Sequence, residues 1–132
     1  MFSTKGRYAL RVMIDIAEQG KNGHTPLKDI AERQQISKKY LESIVKDLVK
    51  AGLLKGSSGK GGGYELCRDP GDYTVGEILE ASEGRFAAVA CLATASDECP
   101  RSAFCKTLTL WTEFNEVTRN FFYSKKLSDL LN

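Results

Sequence analysis

The stretch from Ser37 to Tyr64 leaves few folds open to this chain. Ser37 can cap a helix, because its hydroxyl accepts a backbone N–H that the first turn leaves unpaired. Leu41, Ile44, Val45 and Leu48 then recur at helical spacing and predict an apolar stripe. Lys39, Ser43, Lys46 and Lys50 step by four, three and four residues, so they share the opposite face. Gly52 predicts the helix stop. Leu53-Leu54-Lys55 reads as a strand and Tyr64 to Cys67 as its return, with Gly56, Gly59, Lys60, Gly61, Gly62 and Gly63 between them. A helix with polar side chains outward, followed by a two-stranded hairpin, predicts a winged helix-turn-helix whose second helix enters a DNA major groove.

Plainer readings of the same residues exist. A basic face is often only a solvated face, and a glycine-rich hairpin only a turn. The run Gly-Lys-Gly-Gly-Gly also resembles a phosphate loop. However, no Gly-Lys-Ser/Thr follows, and a strand rather than a helix comes next.

Charge distribution supports the nucleic-acid reading. The net charge of +2 says little, but residues 1–66 carry twelve Lys/Arg against seven Asp/Glu, and residues 67–132 carry seven against ten. The basic half is the one with the groove-reading helix. At 132 residues the chain is expected to be one domain, or one small domain with an extension. No apolar run reaches membrane-spanning length and Met1 to Thr4 opens no signal peptide, so no membrane partner and a cytoplasmic location are expected.

Upstream, Lys5 to Glu18 predicts a helix with Ala9, Leu10, Met13, Ile14 and Ala17 inward. Lys5, Arg7 and Arg11 near its start would be phosphate contacts, or simply solvated cations. His24, the only histidine, falls in a loop. Thr25-Pro26 predicts an N-cap and a first-turn proline. A helix over Leu27 to Arg33 and a tight turn at Gln34 to Ile36 then lead to Ser37. Downstream, Thr74 and Glu77 form a capping-box pattern that opens a helix over Val75 to Ser82, ended by Gly84. Phe104, Leu108, Trp111, Phe114, Val117 and Phe121 predict a helix too aromatic for so small a domain, which points to a helix from a second subunit. Leu127, Leu130 and Leu131 predict a short final helix.

Periodicity fails between Phe86 and Cys105, where Cys91, Cys99 and Cys105 are spaced C-x7-C-x5-C. Clustered cytoplasmic cysteines point to metal or redox chemistry rather than disulfides. Three thiolates hold an iron–sulfur cluster if a fourth ligand comes from elsewhere. Zinc competes but usually shows close cysteine pairs, and free thiols acting as an oxidant sensor also fit. Cys67 lies apart and reads as a small buried apolar residue.

Several segments together resemble the IscR-like family of iron–sulfur cluster regulators, bacterial winged helix-turn-helix transcription factors that include NsrR and CymR. They are Thr4-Lys5-Gly6-Arg7-Tyr8-Ala9, Ile36-Ser37, Tyr40-Leu41-Glu42, Gly52-Leu53, Gly61-Gly62-Gly63-Tyr64, Val75-Gly76-Glu77, and the three-cysteine loop with Leu110-Trp111. The resemblance implies a mainly α fold with a small β-hairpin and a long C-terminal dimerisation helix. It implies a winged domain over 1–84 (wing 53–67), a cluster-binding loop over 85–105, and a dimerisation segment over 106–132. It implies a homodimer on double-stranded DNA, and a cluster on Cys91, Cys99 and Cys105, 2Fe–2S ahead of 4Fe–4S. DNA-contacting positions fall at Lys5, Arg7, Ser37, Lys38, Lys39, Tyr40, Glu42, Ser43 and Lys46, and in the wing at Ser58 and Lys60. Glu42 matches a glutamate that sets which class of site is read; a carboxylate accepts from cytosine N4 and is repelled by phosphate.

Two positions depart from the family pattern. Leu108 stands where IscR has a ligating histidine, and Ser58 where it has a wing arginine. Asp97, Glu98, Thr107 or a small thiol are chemically able to complete the ligand set. The resulting expectation is a cluster-sensing regulator of iron–sulfur assembly or related genes. The alternative is a thiol-based or zinc-binding DNA-binding regulator. An enzyme is not expected, because no acid–base or nucleophilic constellation is visible.

Overall fold

Helix α1 (Thr4–Gln19) forms the centre of the fold. Ala9, Val12, Met13 and Ile16 are fully buried along one face. Leu10, Ile14 and Ala17 are only partly covered, so the buried face is rotated slightly from the one predicted. The structure, a computed structural model, describes residues 4–20, 23–57, 59, 62–84 and 106–131.

Helix α2 (Leu27–Gln34) buries Ile30. Its N-cap is Pro26 rather than Thr25. The backbone of Thr25 is already engaged: it exchanges two hydrogen bonds of 2.8 Å with Tyr64 of the wing. The Thr25 hydroxyl is buried with no hydrogen-bond partner among the described residues. Gln35 closes α2 in the left-handed conformation, with φ 54°, and its N–H reaches back to Ala31 and Glu32.

Helix α3 (Lys38–Lys50) starts as its sequence predicts, with the Ser37 hydroxyl accepting the Tyr40 N–H at 3.2 Å. Leu41, Ile44, Val45 and Leu48 are buried. The helix ends where Gly52 takes φ 78° and the Leu53 N–H turns back to the Leu48 carbonyl.

Strands β1 (Leu54–Ser57) and β2 (Gly63–Leu66) pair antiparallel, with Leu54 opposite Leu66 and Ser57 opposite Gly63. Gly63, at φ 149°, does more than loosen the hairpin. A Cβ there would overlap the Thr25 carbonyl, so glycine is what lets the wing lie against the loop before α2. Cys67 lies just past β2 and is exposed, not buried.

Tyr73 fixes the root of the wing. Its buried hydroxyl donates to the Leu53 carbonyl at 2.7 Å and accepts the Cys67 and Arg68 N–H groups at 2.8 and 3.1 Å. Its carbonyl accepts the Leu127 N–H at 3.0 Å. The C-terminal turn at Leu127–Leu130 is thereby joined to the same node, with Leu127 fully buried.

Helix α4 (Val75–Glu83) opens with the predicted capping box between Thr74 and Glu77. Helix α5 (Leu108–Ser124) runs antiparallel to it, since Arg119 meets Glu80 and Tyr123 lies over Gly76. The missing side chain at Gly76 admits the Tyr123 ring, whose hydroxyl donates to Glu80 at 2.6 Å. Burial, then this hydrogen bond, pushes the Tyr123 phenol up to about 12, so it stays a donor at physiological pH.

Tyr73→Phe keeps the ring but orphans three backbone groups at the wing root. It should cost roughly 2 kcal/mol in urea unfolding. A loss below about 0.5 kcal/mol, the ordinary surface value, would contradict the role given to the hydroxyl.

Candidate nucleic-acid interface

The inner face of α3 is committed to the core, so its outer face is what the molecule presents. Lys38, Lys39, Glu42, Ser43, Lys46 and Lys50 are all exposed there, as is Ser37 at its start. Glu42 lies among four lysines of the same helix, which makes it the acceptor on an otherwise donor-rich surface. Tyr40 is half-buried and stacks edge-on against Tyr8 of α1, with ring centroids 5.8 Å apart. Its ring orientation is therefore set by α1.

The start of α1 lies beside this face. Lys5 pairs with Asp47 of α3 at 2.6 Å, and Arg7 is exposed. Arg11 is engaged within the protein: its guanidinium covers the Tyr8 ring and donates to the side chain and carbonyl of Gln34. Its work is to hold α1 to the end of α2. Asp15, only 4 % exposed, acts on the same junction. It accepts from Arg33 at 2.8 and 3.0 Å and from Gln34 Nε2 at 2.9 Å. Hydrogen bonding to Asp15 raises the Arg33 pKa further above its already high value. Together Arg11 and Asp15 fix the left-handed turn that aims α3.

Asp15, Asp47 and Gln34 were not marked by their local sequence. Their partners lie on other elements, so periodicity carries no trace of the pairing. His24 lies 3.3 Å from Glu65 of β2, a loop-to-wing contact rather than a ligand geometry.

Ser58 and Lys60 of the wing, and Cys91, Cys99 and Cys105, lie outside the described residues. So do Asp97 and Glu98. Among the described residues no group of three or more His, Cys, Asp or Glu is arranged to hold a metal. Three thiols remain a suitable donor set for an iron–sulfur cluster by their chemistry. Leu108, the first residue of α5, adds no donor to them. No helix among the described residues is long and apolar enough to cross a membrane.

A family model described as an iron-dependent transcriptional regulator, Rrf2, matches residues 2–132. The chain belongs to the Rrf2 family. The transcriptional regulator IscR of Photobacterium profundum is 38% identical over 129 residues, covering 98% of this chain and 74% of that protein. The solved structure of T. potens IscR superposes with a TM-score of 0.78 at 35% identity, over 98% of this chain and 85% of that one. CymR, the global cysteine regulator of B. subtilis, superposes with a TM-score of 0.77 at 36% identity, over 98% of this chain and 95% of that one. This Rrf2 chain is thus an IscR-like transcriptional regulator with a winged helix-turn-helix fold, and its relatives are regulators rather than enzymes.

Asp15→Ala leaves Arg33 and Gln34 without their shared acceptor at the α1–α2 junction. Because Arg33 is partly solvated, the expected loss is about 2 kcal/mol in denaturant unfolding, below that of a fully buried pair. An unchanged midpoint would remove Asp15 from the forces that set the turn.

Proposed function

We propose that this chain is a homodimeric, sequence-specific DNA-binding regulator that senses an iron–sulfur cluster held by Cys91, Cys99 and Cys105. The observation that carries the reading is the division of α3: four apolar side chains seated in the core, and a lysine-rich face with one glutamate turned outward. In this reading Ser37, Lys38, Lys39, Tyr40, Glu42 and Ser43 meet base edges and the groove wall. Lys46, with Lys5 and Arg7 of α1, would meet phosphates, which position the protein without reading sequence. Ser58 and Lys60 would extend the footprint from the wing. In organisation, residues 1–84 read DNA, 85–105 carry the sensing cysteines, and 106–132 supply the dimer contact.

Homodimerisation rests on α5. Leu110, Phe114, Val117 and Phe121 step by four, three and four residues, and all four are exposed, Val117 to 67 %. Trp111 flanks them. Such a stripe on a helix of 17 residues is what a matching helix would bury. Two copies related by a two-fold axis would present two α3 helices to successive major grooves.

For the cofactor, the three cysteines as thiolates and the IscR likeness support an iron–sulfur cluster, 2Fe–2S ahead of 4Fe–4S. When bound, such a cluster supplies a redox- and oxygen-sensitive group. The protein's own residues then convert its presence into DNA affinity. Control of iron–sulfur assembly or related genes follows as the biological role. A second reading, sensing through bare thiols, is favoured by the likeness to CymR and by Leu108, which offers no ligand atom.

Anaerobic purification, visible absorption, and iron and acid-labile sulfide assays separate the two. A brown protein with stoichiometric iron and sulfide, bleached by replacing any one of the three cysteines, is the expected result. A colourless protein after reconstitution would move sensing to thiol chemistry and leave DNA binding intact. On the DNA side, Lys46→Ala should weaken binding to all duplexes alike and flatten the slope of log K against log salt by about one unit. Unchanged affinity and slope would take Lys46 out of the interface.

A further inference from the structure

Helix α1 has no acidic residue in its own first turn, where unpaired N–H groups and the positive helix end favour a carboxylate. A carboxylate from another helix supplies it. The Gly6 N–H donates to Glu83 Oε1 at 2.9 Å, although 77 positions separate the two residues. Gly6 is what permits the approach: a Cβ there would overlap the Glu83 carboxylate. Immediately before Gly6, Lys5 reaches across to Asp47 of α3 at 2.6 Å. The end of α4, the first turn of α1 and the reading helix are therefore joined in series by two polar contacts.

We propose that Glu83 is a positioning residue for DNA recognition: capping α1 from the end of α4, it holds Lys5 against Asp47 and so sets how α3 is presented. The inference rests on the reading of the α3 face as the DNA interface. The Lys5–Asp47 pair is about a third exposed, so its value lies in geometry more than in stability. Glu83 also ends α4 two residues before the stretch that carries Cys91, Cys99 and Cys105. A change in that stretch thus has a short covalent route to the cap, and from the cap to the reading helix.

The sign of the effect separates positioning from bulk electrostatics. Removing a carboxylate from a DNA-binding protein should, on charge alone, strengthen binding to a polyanion. Positioning predicts the reverse for both Glu83 and Asp47.

The test uses the full chain and a duplex that the wild-type protein selects from a random-sequence pool. Glu83→Ala should bind it about tenfold more weakly, the size of a lost helix cap. Its salt slope should fall by no more than about one unit, because Lys5 is the one proposed phosphate contact that the cap positions. Glu83→Gln, which keeps an oxygen for the Gly6 N–H, should stay within about threefold of wild type. Asp47→Asn should also weaken binding, and the Glu83→Ala/Asp47→Asn double variant should be no worse than the weaker single, since both act on one linkage. If Glu83→Ala fails to fold, Gly6→Ala, which displaces the carboxylate, carries the same expectation of weaker binding. Tighter or unchanged binding by Glu83→Ala or Gly6→Ala, or losses that multiply in the double variant, would overturn the inference while leaving DNA binding standing. A wild-type protein that selects no duplex would instead overturn the proposed function, and this inference with it.

Discussion

Everything the molecule can present to a partner depends on the seating of α3. Leu41, Ile44, Val45 and Leu48 are buried in the core that α3 shares with α1 and α4, and each contributes on the order of 1.5–3 kcal/mol by leaving water. That burial fixes which side of the helix faces out. A helix rotated by a single residue position would put Glu42 and Lys46, or in the other sense Asp47, into the core, where an unpaired charge is not tolerated. The exposed basic face is thus a consequence of the core, and its proposed use as an interface follows from the same packing that stabilises the fold.

Around this seat, polar contacts set orientation. Asp15 and Arg11 fix the turn between α2 and α3. Lys5 and Asp47 join the start of α1 to α3. Tyr73 gathers the wing root and the C-terminal turn on one side chain. None of these is a large stabilising force alone. Each connects elements that carry different parts of the proposed work, so a small displacement at one has a path to another. Beside the Tyr73 node, Gly76 and Tyr123 lock the C-terminal part of α5 to α4. Helix α5 is about 25 Å long against about 13 Å for α4, so its N-terminal half extends beyond that support with Leu110, Trp111 and Phe114 partly exposed.

Features that act within one turn of chain were legible in the sequence. The Ser37 cap, the Thr74–Glu77 capping box, the Gly52 stop and the α3 stripe all stand where their spacing placed them. So does the hairpin, with β1 beginning one residue later and β2 lying one residue earlier than predicted. The errors have a common cause. Thr25 loses its capping role because its backbone pairs with Tyr64, and Cys67 is exposed because β2 ends before it. In each case the outcome depends on where a distant segment lies, and nothing in the neighbouring residues announces that partner. Gly63 reads only as part of a hairpin tip and Gly6 only as part of a motif, yet each is needed for a close approach by a distant segment.

Two copies of α3 reading one duplex are the centre of the proposed function, and hydroxyl-radical footprinting on the selected duplex measures that arrangement directly. Two protected tracts are predicted, related by two-fold symmetry and spaced by about one helical turn, roughly 10 base pairs. A single tract, or cleavage no different from free DNA, would contradict it.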